Sequence, residues 1–131
     1  MTSLFVAEGV EITNPYRMFY GCTTLKTLDL SEFDMSLVTS TSTSSGTAEM
    51  FYGCSNLKTI ILPESVKYLG RYMFRGCSNV ENLTIKAITA PTVYSYYTWG
   101  YSSDYIGYNY RSYGSNNLYV PHGATGYDTG T

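Results

Sequence analysis

Charge is scarce in this chain. Only 14% of its 131 residues are Asp, Glu, Lys or Arg, and the formal net charge is −2. The eight basic residues, Arg17, Lys26, Lys58, Lys67, Arg71, Arg75, Lys86 and Arg111, are scattered without a run. Nucleic acids and anionic membranes are held by clustered Lys and Arg, so neither is an expected partner. No stretch approaches the ~18 consecutive apolar residues of a membrane span, and direct membrane insertion is not expected. "MTSLFVAEGV" has neither the basic start nor the apolar block of a secretory signal. The length suits one soluble domain with a real core.

Catalytic constellations are missing as well. Asp128-Thr129-Gly130 spells the tripeptide of aspartic proteases, but that chemistry needs two carboxylates sharing a proton, and the tripeptide has no second copy. His122, the only histidine, has no G-x-S-x-G elbow to partner it and reads as a turn residue between Pro121 and Gly123. Asp104 lacks the acidic neighbours of a calcium loop. Asn82-Leu83-Thr84 fits a glycosylation triplet but falls in an expected strand. Glu32 and Asp34 read as a solvated rim. No phosphate-binding glycine motif appears. The chain is therefore expected to be no enzyme, with no cofactor and no metal site.

What the chain does have is a repeat. "MFYGCTTLKTLDL", "MFYGCSNLKTIIL" and "MFRGCSNVENLTI" align on Gly21, Gly53 and Gly76. That alignment puts Cys22, Cys54 and Cys77 in register, followed by the apolar sets Leu25/Leu28/Leu30, Leu57/Ile60/Leu62 and Val80/Leu83/Ile85. The last residues of each set alternate, as in a strand with one buried face. Copies one and two lie 32 residues apart, and copies two and three 23. A period in the twenties carrying L-x-x-L-x-L marks a leucine-rich solenoid, whose coils bury their apolar face only by stacking. The pattern predicts a β-rich solenoid of short parallel strands with about three coils. In each coil "MFYGC" is a tight helical or 3₁₀ turn ended by glycine, and "LKTIIL" is a strand. Pro63 breaks it, and "SVKYLG" supplies a second short strand. Lys58, Glu64 and Lys67 fall on positions that face water.

These residues carry a family resemblance. "MFYGCSNLKTIILPESVKYLGRYMFRGCSNVENLTI" resembles the BspA-type leucine-rich repeats of bacterial surface and phage-associated proteins, and "LKTLDLSEFDMSLVTS" is similar to their sister repeat. "APTVYSYYTWG" with "NNLYVPHGATGYD" resembles the module that closes such arrays. The resemblance covers roughly residues 17 to 128. It implies an N-terminal strand or lead-in over 1–16, repeat coils over 17–90 and a C-terminal closing cap over 91–131. Residues 40–49, "STSTSSGTAE", read as a flexible surface insertion because Ser, Thr and Gly build no core. The abrupt end suggests a piece of a longer protein. An extracellular, bacterial cell-surface or virion setting is implied, with further domains of the same polypeptide or self-association as possible neighbours.

Cysteine in a recurring pentapeptide raises the question of chemistry. Coils stacked about 4.8 Å apart make Cys22, Cys54 and Cys77 a ladder of parallel side chains. A tetrahedral zinc site needs thiolates converging on a point and a fourth ligand, and an odd cysteine count argues against a disulfide framework. The three are expected to be small buried hydrophobes.

The part that does not repeat is a segment over 94–117, "YSYYTWGYSSDYIGYNYRSYGSNN". It holds Tyr94, Tyr96, Tyr97, Trp99, Tyr101, Tyr105, Tyr108, Tyr110, Arg111 and Tyr113, out of 15 tyrosines in all. Long loops in compact domains are functional or disordered; disordered tracts are poor in aromatics, whereas binding loops favour Tyr, Ser, Gly and Asn. The segment is expected to bind a protein or glycan on a cell surface, with capping of the solenoid end as the structural alternative. On that alternative the chain is a spacer or assembly unit of a larger surface or virion protein. Apart from Trp99, every residue of the segment is reachable from an AAC codon by changing adenines, as in segments diversified by adenine-directed mutagenesis. If this is a variable receptor-binding segment, its codons carry uniform pyrimidine third bases; sequencing that finds mixed synonymous usage removes the reading.

Overall fold

A computed structural model describes residues 3–4, 10–39, 45–93 and 117–127. Among them the chain forms short strands and no helix: β1 (Ser3–Leu4), β2 (Val10–Glu11), β3 (Thr27–Asp29), β4 (Phe33–Asp34), β5 (Thr59–Leu62), β6 (Tyr68–Leu69), β7 (Asn82–Ile85), β8 (Thr92–Val93) and β9 (Asn117–Tyr119). One parallel sheet runs β1-β3-β5-β7-β9, and the return strands pair as β2-β4 and β6-β8. The repeat alignment is the structural register, with Thr27 opposite Thr59 and Thr59 opposite Asn82. The repeat solenoid of short parallel strands is thus present. Five strands stack where about three coils are expected, because Ser3–Leu4 and Asn117–Tyr119 add a rung at each end.

The expected tight helical or 3₁₀ turn does not form a helix among the described residues. In the segments 16–22, 48–54 and 71–77 every second N–H closes a local turn, as in Tyr20 to Arg17, Cys22 to Phe19 and Cys54 to Phe51. The intervening N–H groups leave the coil: Phe19 donates to Met50 at 2.9 Å and Phe51 to Met73 at 2.9 Å. A helix would spend all these donors in its own ladder. Left-handed backbone at two equivalent positions turns the peptides sideways instead. Arg17, Glu49 and Tyr72 occupy one, at φ 56°, 53° and 53°, and Gly21, Gly53 and Gly76 the other, at 69°, 75° and 82°. At Gly76 space also favours glycine, since a Cβ there would stand 3.1 Å from Gly53 Cα, whereas Gly21 and Gly53 are held to glycine by φ alone.

Inside the coil the apolar sets meet as the alternation demands. Leu25, Leu28 and Leu30, Leu57, Ile60 and Leu62, and Val80, Leu83 and Ile85 are buried in one continuous core. Met35, Val38, Val66 and Leu69 close the return side. Ser65 ties two coils there, accepting from the Met35 N–H at 2.9 Å and donating to the Phe33 carbonyl at 3.2 Å. Asp29 and Asp34 each cap a turn through the N–H two residues on, of Ser31 and Ser36 respectively. Lys58, Glu64 and Lys67 are exposed.

The expected insertion over 40–49 is corrected at its C-terminal end, residues 40–44 lying outside the described residues. Thr47 and Ala48 are buried, because they form the start of the second turn. Thr47 donates its hydroxyl to the Tyr68 carbonyl at 3.0 Å, which removes the cost of burying it. The Ala48 backbone presses on Gly70 so closely that a Cβ there would lie 2.5 Å from Ala48 N. At the far end, Thr125 bridges Thr89. The Tyr127 hydroxyl donates to the Ala87 carbonyl at 2.6 Å, and burial pushes its pKa up to about 12.

Two substitutions test this packing in denaturant unfolding. Leu57→Ala or Ile60→Ala is expected to cost about 2–5 kcal/mol through the cavity left behind. Gly70→Ala is expected to cost about 1–3 kcal/mol by forcing two backbones apart, and a neutral Gly70→Ala would refute the close approach.

Candidate functional site

The binding residues expected from the sequence, Tyr94, Tyr96, Tyr97, Trp99, Tyr101, Tyr105, Tyr108, Tyr110, Arg111 and Tyr113, lie outside the described residues, as does Asp128-Thr129-Gly130. The flanks of the tyrosine-rich segment are placed: β8 pairs with β6, and β9 pairs with β7.

A second aromatic surface is built by the turns. Their inward column is Phe19, Phe51 and Phe74, stacked at ring-centroid separations of 5.8 and 5.3 Å. The next residue along points out, so that stacking lines up Tyr20, Tyr52 and Arg75, and the left-handed position adds Arg17, Glu49 and Tyr72. Tyr20 and Tyr52 stack at 4.9 Å with rings 11° apart, and Tyr72 meets Tyr52 edge-on at 6.4 Å. The Arg17 guanidinium lies 4.8 Å from the Tyr20 ring centre and 5.2 Å from that of Tyr16. It also donates to Glu49 Oε2 at 2.6 Å. That hydrogen bond raises the Arg17 pKa. Arg71 and Arg75 both approach the Tyr72 ring, at 4.5 and 4.8 Å. The result is an Arg–Tyr ridge along the stack, locally positive on an acidic chain. Sequence reasoning missed it, although the signal was available: the outward columns of the repeat read Tyr/Tyr/Arg and Arg/Glu/Tyr.

The cysteines sit beneath this ridge. Cys54 donates its thiol to the Phe19 carbonyl and Cys77 to the Phe51 carbonyl, each at 3.1 Å. Both are buried, Cys22 is half-buried, and all three are free. The neighbouring Cys54 side chain, then burial, pushes the Cys77 thiol well above its ordinary value, so it stays protonated. Burial, then the nearby Cys54, raises Cys22 as well. A buried, protonated thiol bonded to a carbonyl, as at Cys77, is a packing group, since nucleophiles and metal ligands are thiolates. Among the described residues no cluster of three His, Cys, Asp or Glu is placed to hold a metal.

Two further surfaces are polar. An open depression of about 340 Å³ is lined by Ser31, Glu32, Phe33, Asp34, Glu64 and Ser65. Hydrogen bonds from Ser36 hold the Asp34 carboxyl below its usual range, which keeps it ionised. His122 is exposed in a turn. The outer face of the main sheet presents Thr27, Thr59, Asn82 and Asn117 in one row, with Asn117 donating its side-chain amide to Asn82 Oδ1 at 3.1 Å. Among the described residues no helix is long and apolar enough to cross a membrane.

Accessibility and protonation together order the thiols. In native protein only Cys22 is expected to react with a maleimide, at a rate that climbs as pH rises through and beyond the usual thiol range. Cys54 and Cys77 are expected to react only on unfolding, and native labelling of either, read by mass spectrometry, would contradict the carbonyl-bonded ladder.

Comparison with known proteins bears on the same repeat. The family model described as BspA type leucine-rich repeat region matches residues 2–98 and 33–116, with six copies. No curated protein and no solved structure matches the chain. The matched spans take in the three turns and strands β1 to β8, so the chain belongs to the BspA-type leucine-rich repeat family, which is generally one of non-catalytic interaction modules typically associated with surfaces.

Proposed function

We propose that this chain is a non-catalytic binding module that recognises a protein or glycan surface through the tyrosine-rich segment 94–117. One observation carries the reading. The chain has 15 tyrosines, yet among the described residues none belongs to the buried core, which is made of Leu, Ile, Val, Met, Phe, Ala and Cys. Apart from Tyr127, which packs against its edge, the core is built without tyrosine, and at a surface the rigid ring and hydroxyl of that residue give large amphipathic contact area at low entropic cost. The segment joins β8 to β9, so a scaffold strand holds each of its ends, the arrangement in which loops carry recognition. The setting that fits is a bacterial surface or a virion.

A spacer or assembly role is the alternative, with the segment serving only to cover the last rung. Changing Tyr101, Tyr105, Tyr108 and Tyr110 together to Ser separates the two. Binding to immobilised mucin or to a printed glycan array is expected to fall to background, with the melting temperature within a degree or two of wild type. A drop of several degrees, with wild type binding neither surface, favours the spacer.

A further inference from the structure

The third copy of the turn departs from the first two at one outward position. "MFYGC" carries Tyr20 and Tyr52 there, and "MFRGC" carries Arg75. Stacking therefore ends a row of two rings in a guanidinium. Tyr72 comes from the neighbouring column, so its ring meets Tyr52 edge-on, at 79° and 6.4 Å, instead of adding a third parallel layer. Two rings so placed make a corner. The Arg75 guanidinium stands in it, 4.8 Å from the Tyr72 ring centre and 5.9 Å from that of Tyr52.

Backbone and rings both fix this corner. The Arg75 N–H donates to the Tyr72 carbonyl at 3.2 Å, and the Arg75 carbonyl accepts from the Gly53 N–H at 2.7 Å. Tyr52 is braced on its other side by Tyr20, stacked at 4.9 Å. A ligand meeting groups held in this way has few torsions left to freeze, and freezing torsions is a main cost of binding at a surface.

Charge sets Arg75 apart from Arg17 on the same ridge. Arg17 is bonded to Glu49 at 2.6 Å, so its charge is already met. Arg75 is exposed, and among the described residues its side chain makes no ion pair and no hydrogen bond. A guanidinium packed on aromatic rings keeps its in-plane N–H fork open, and that fork matches the two oxygens of a carboxylate. One open fork suits one negative charge. A phosphate monoester carries about −1.5 to −2, and nucleic acids, sulfated chains and uronate-rich chains need the clustered basic residues that this sequence lacks. Beside the fork, the half-buried Tyr52 and Tyr72 offer ring surface for the C–H groups of a sugar and hydroxyls for its alcohols.

We propose that Arg75, Tyr52 and Tyr72 form a binding site for the carboxylated sugar that ends an acidic glycan, with the carboxylate on the Arg75 fork and the sugar ring against the two tyrosines. The site uses no residue of 94–117, so it is a second binding surface and stands or falls separately from the first.

NMR titration of the full chain with sialyllactose tests it. The Arg75 Nε–H and the ring protons of Tyr52 and Tyr72 are expected to shift to saturation. Lactose, which lacks the carboxylate, and acetate, which lacks the ring, are each expected to bind about tenfold more weakly or not at all. Arg75→Gln is expected to weaken sialyllactose binding, read at the tyrosine rings, by about tenfold or more, with a melting temperature within a degree or two of wild type. Arg75→Lys, which keeps the charge without the fork, falls between. Lys26→Gln removes the same charge from an exposed position beside β3 and is expected to bind as wild type does. The proposal is overturned if sialyllactose produces no shift, if lactose or acetate matches it, if Arg75→Gln binds as wild type does, or if Lys26→Gln is weakened equally. It is also overturned if the variant with Ser at Tyr101, Tyr105, Tyr108 and Tyr110 loses the response, since the sugar then sits on that segment.

Discussion

Every coil of this solenoid depends on the backbone bonds that tie its turn to the next. Parallel strands alone do not set the coil's shape, because the strands here are two to four residues long. The turns hold the stack by sending alternate N–H groups across it, and they do so only because two peptides per turn are rotated by left-handed residues. At one of those positions Arg17, Glu49 and Tyr72 accept a conformation that L-residues disfavour by roughly 1–2 kcal/mol. Glycine would adopt it without that cost, so the side chains at this column offset it with ring, guanidinium and carboxylate contacts along the ridge.

The same bonds explain why cysteine recurs. The residue after each turn glycine must be small, apolar and able to satisfy a carbonyl of the preceding turn. A thiol does all of this: it packs as a small hydrophobe and still donates weakly. The pentapeptide is thereby a stacking device. Cys54 and Cys77 are buried beneath the ridge with their thiols bonded to carbonyls of the preceding turn.

A stacked repeat also turns any outward column into a row. That is how isolated Tyr and Arg residues become a continuous ridge, and how Thr and Asn residues line the sheet. It suits a family of interaction modules, because large surfaces arise without a pocket of converging polar groups. The turn-to-turn bonds all run one way, from the N–H groups of one turn to the carbonyls of the next.

Much of this was legible in the residues. The alternation in "LKTLDL", "LKTIIL" and "ENLTI" and the alignment on Gly21, Gly53 and Gly76 determined by themselves a leucine-rich solenoid and the register of its strands, because burial of one face permits only one register. The inward sets beginning at Leu25, Leu57 and Val80 follow from the same periodicity. The nature of the turns did not follow. "MFYGC" has the composition of a tight helical turn, and only the neighbouring coil, by offering acceptors, decides that its N–H groups leave. The burial of Thr47 and Ala48 was hidden for a like reason, since Ser, Thr and Gly signal a loop until the Tyr68 carbonyl and Gly70 are brought to them. Local pattern specifies what a coil is made of; what each coil exposes depends on atoms supplied by the coils beside it.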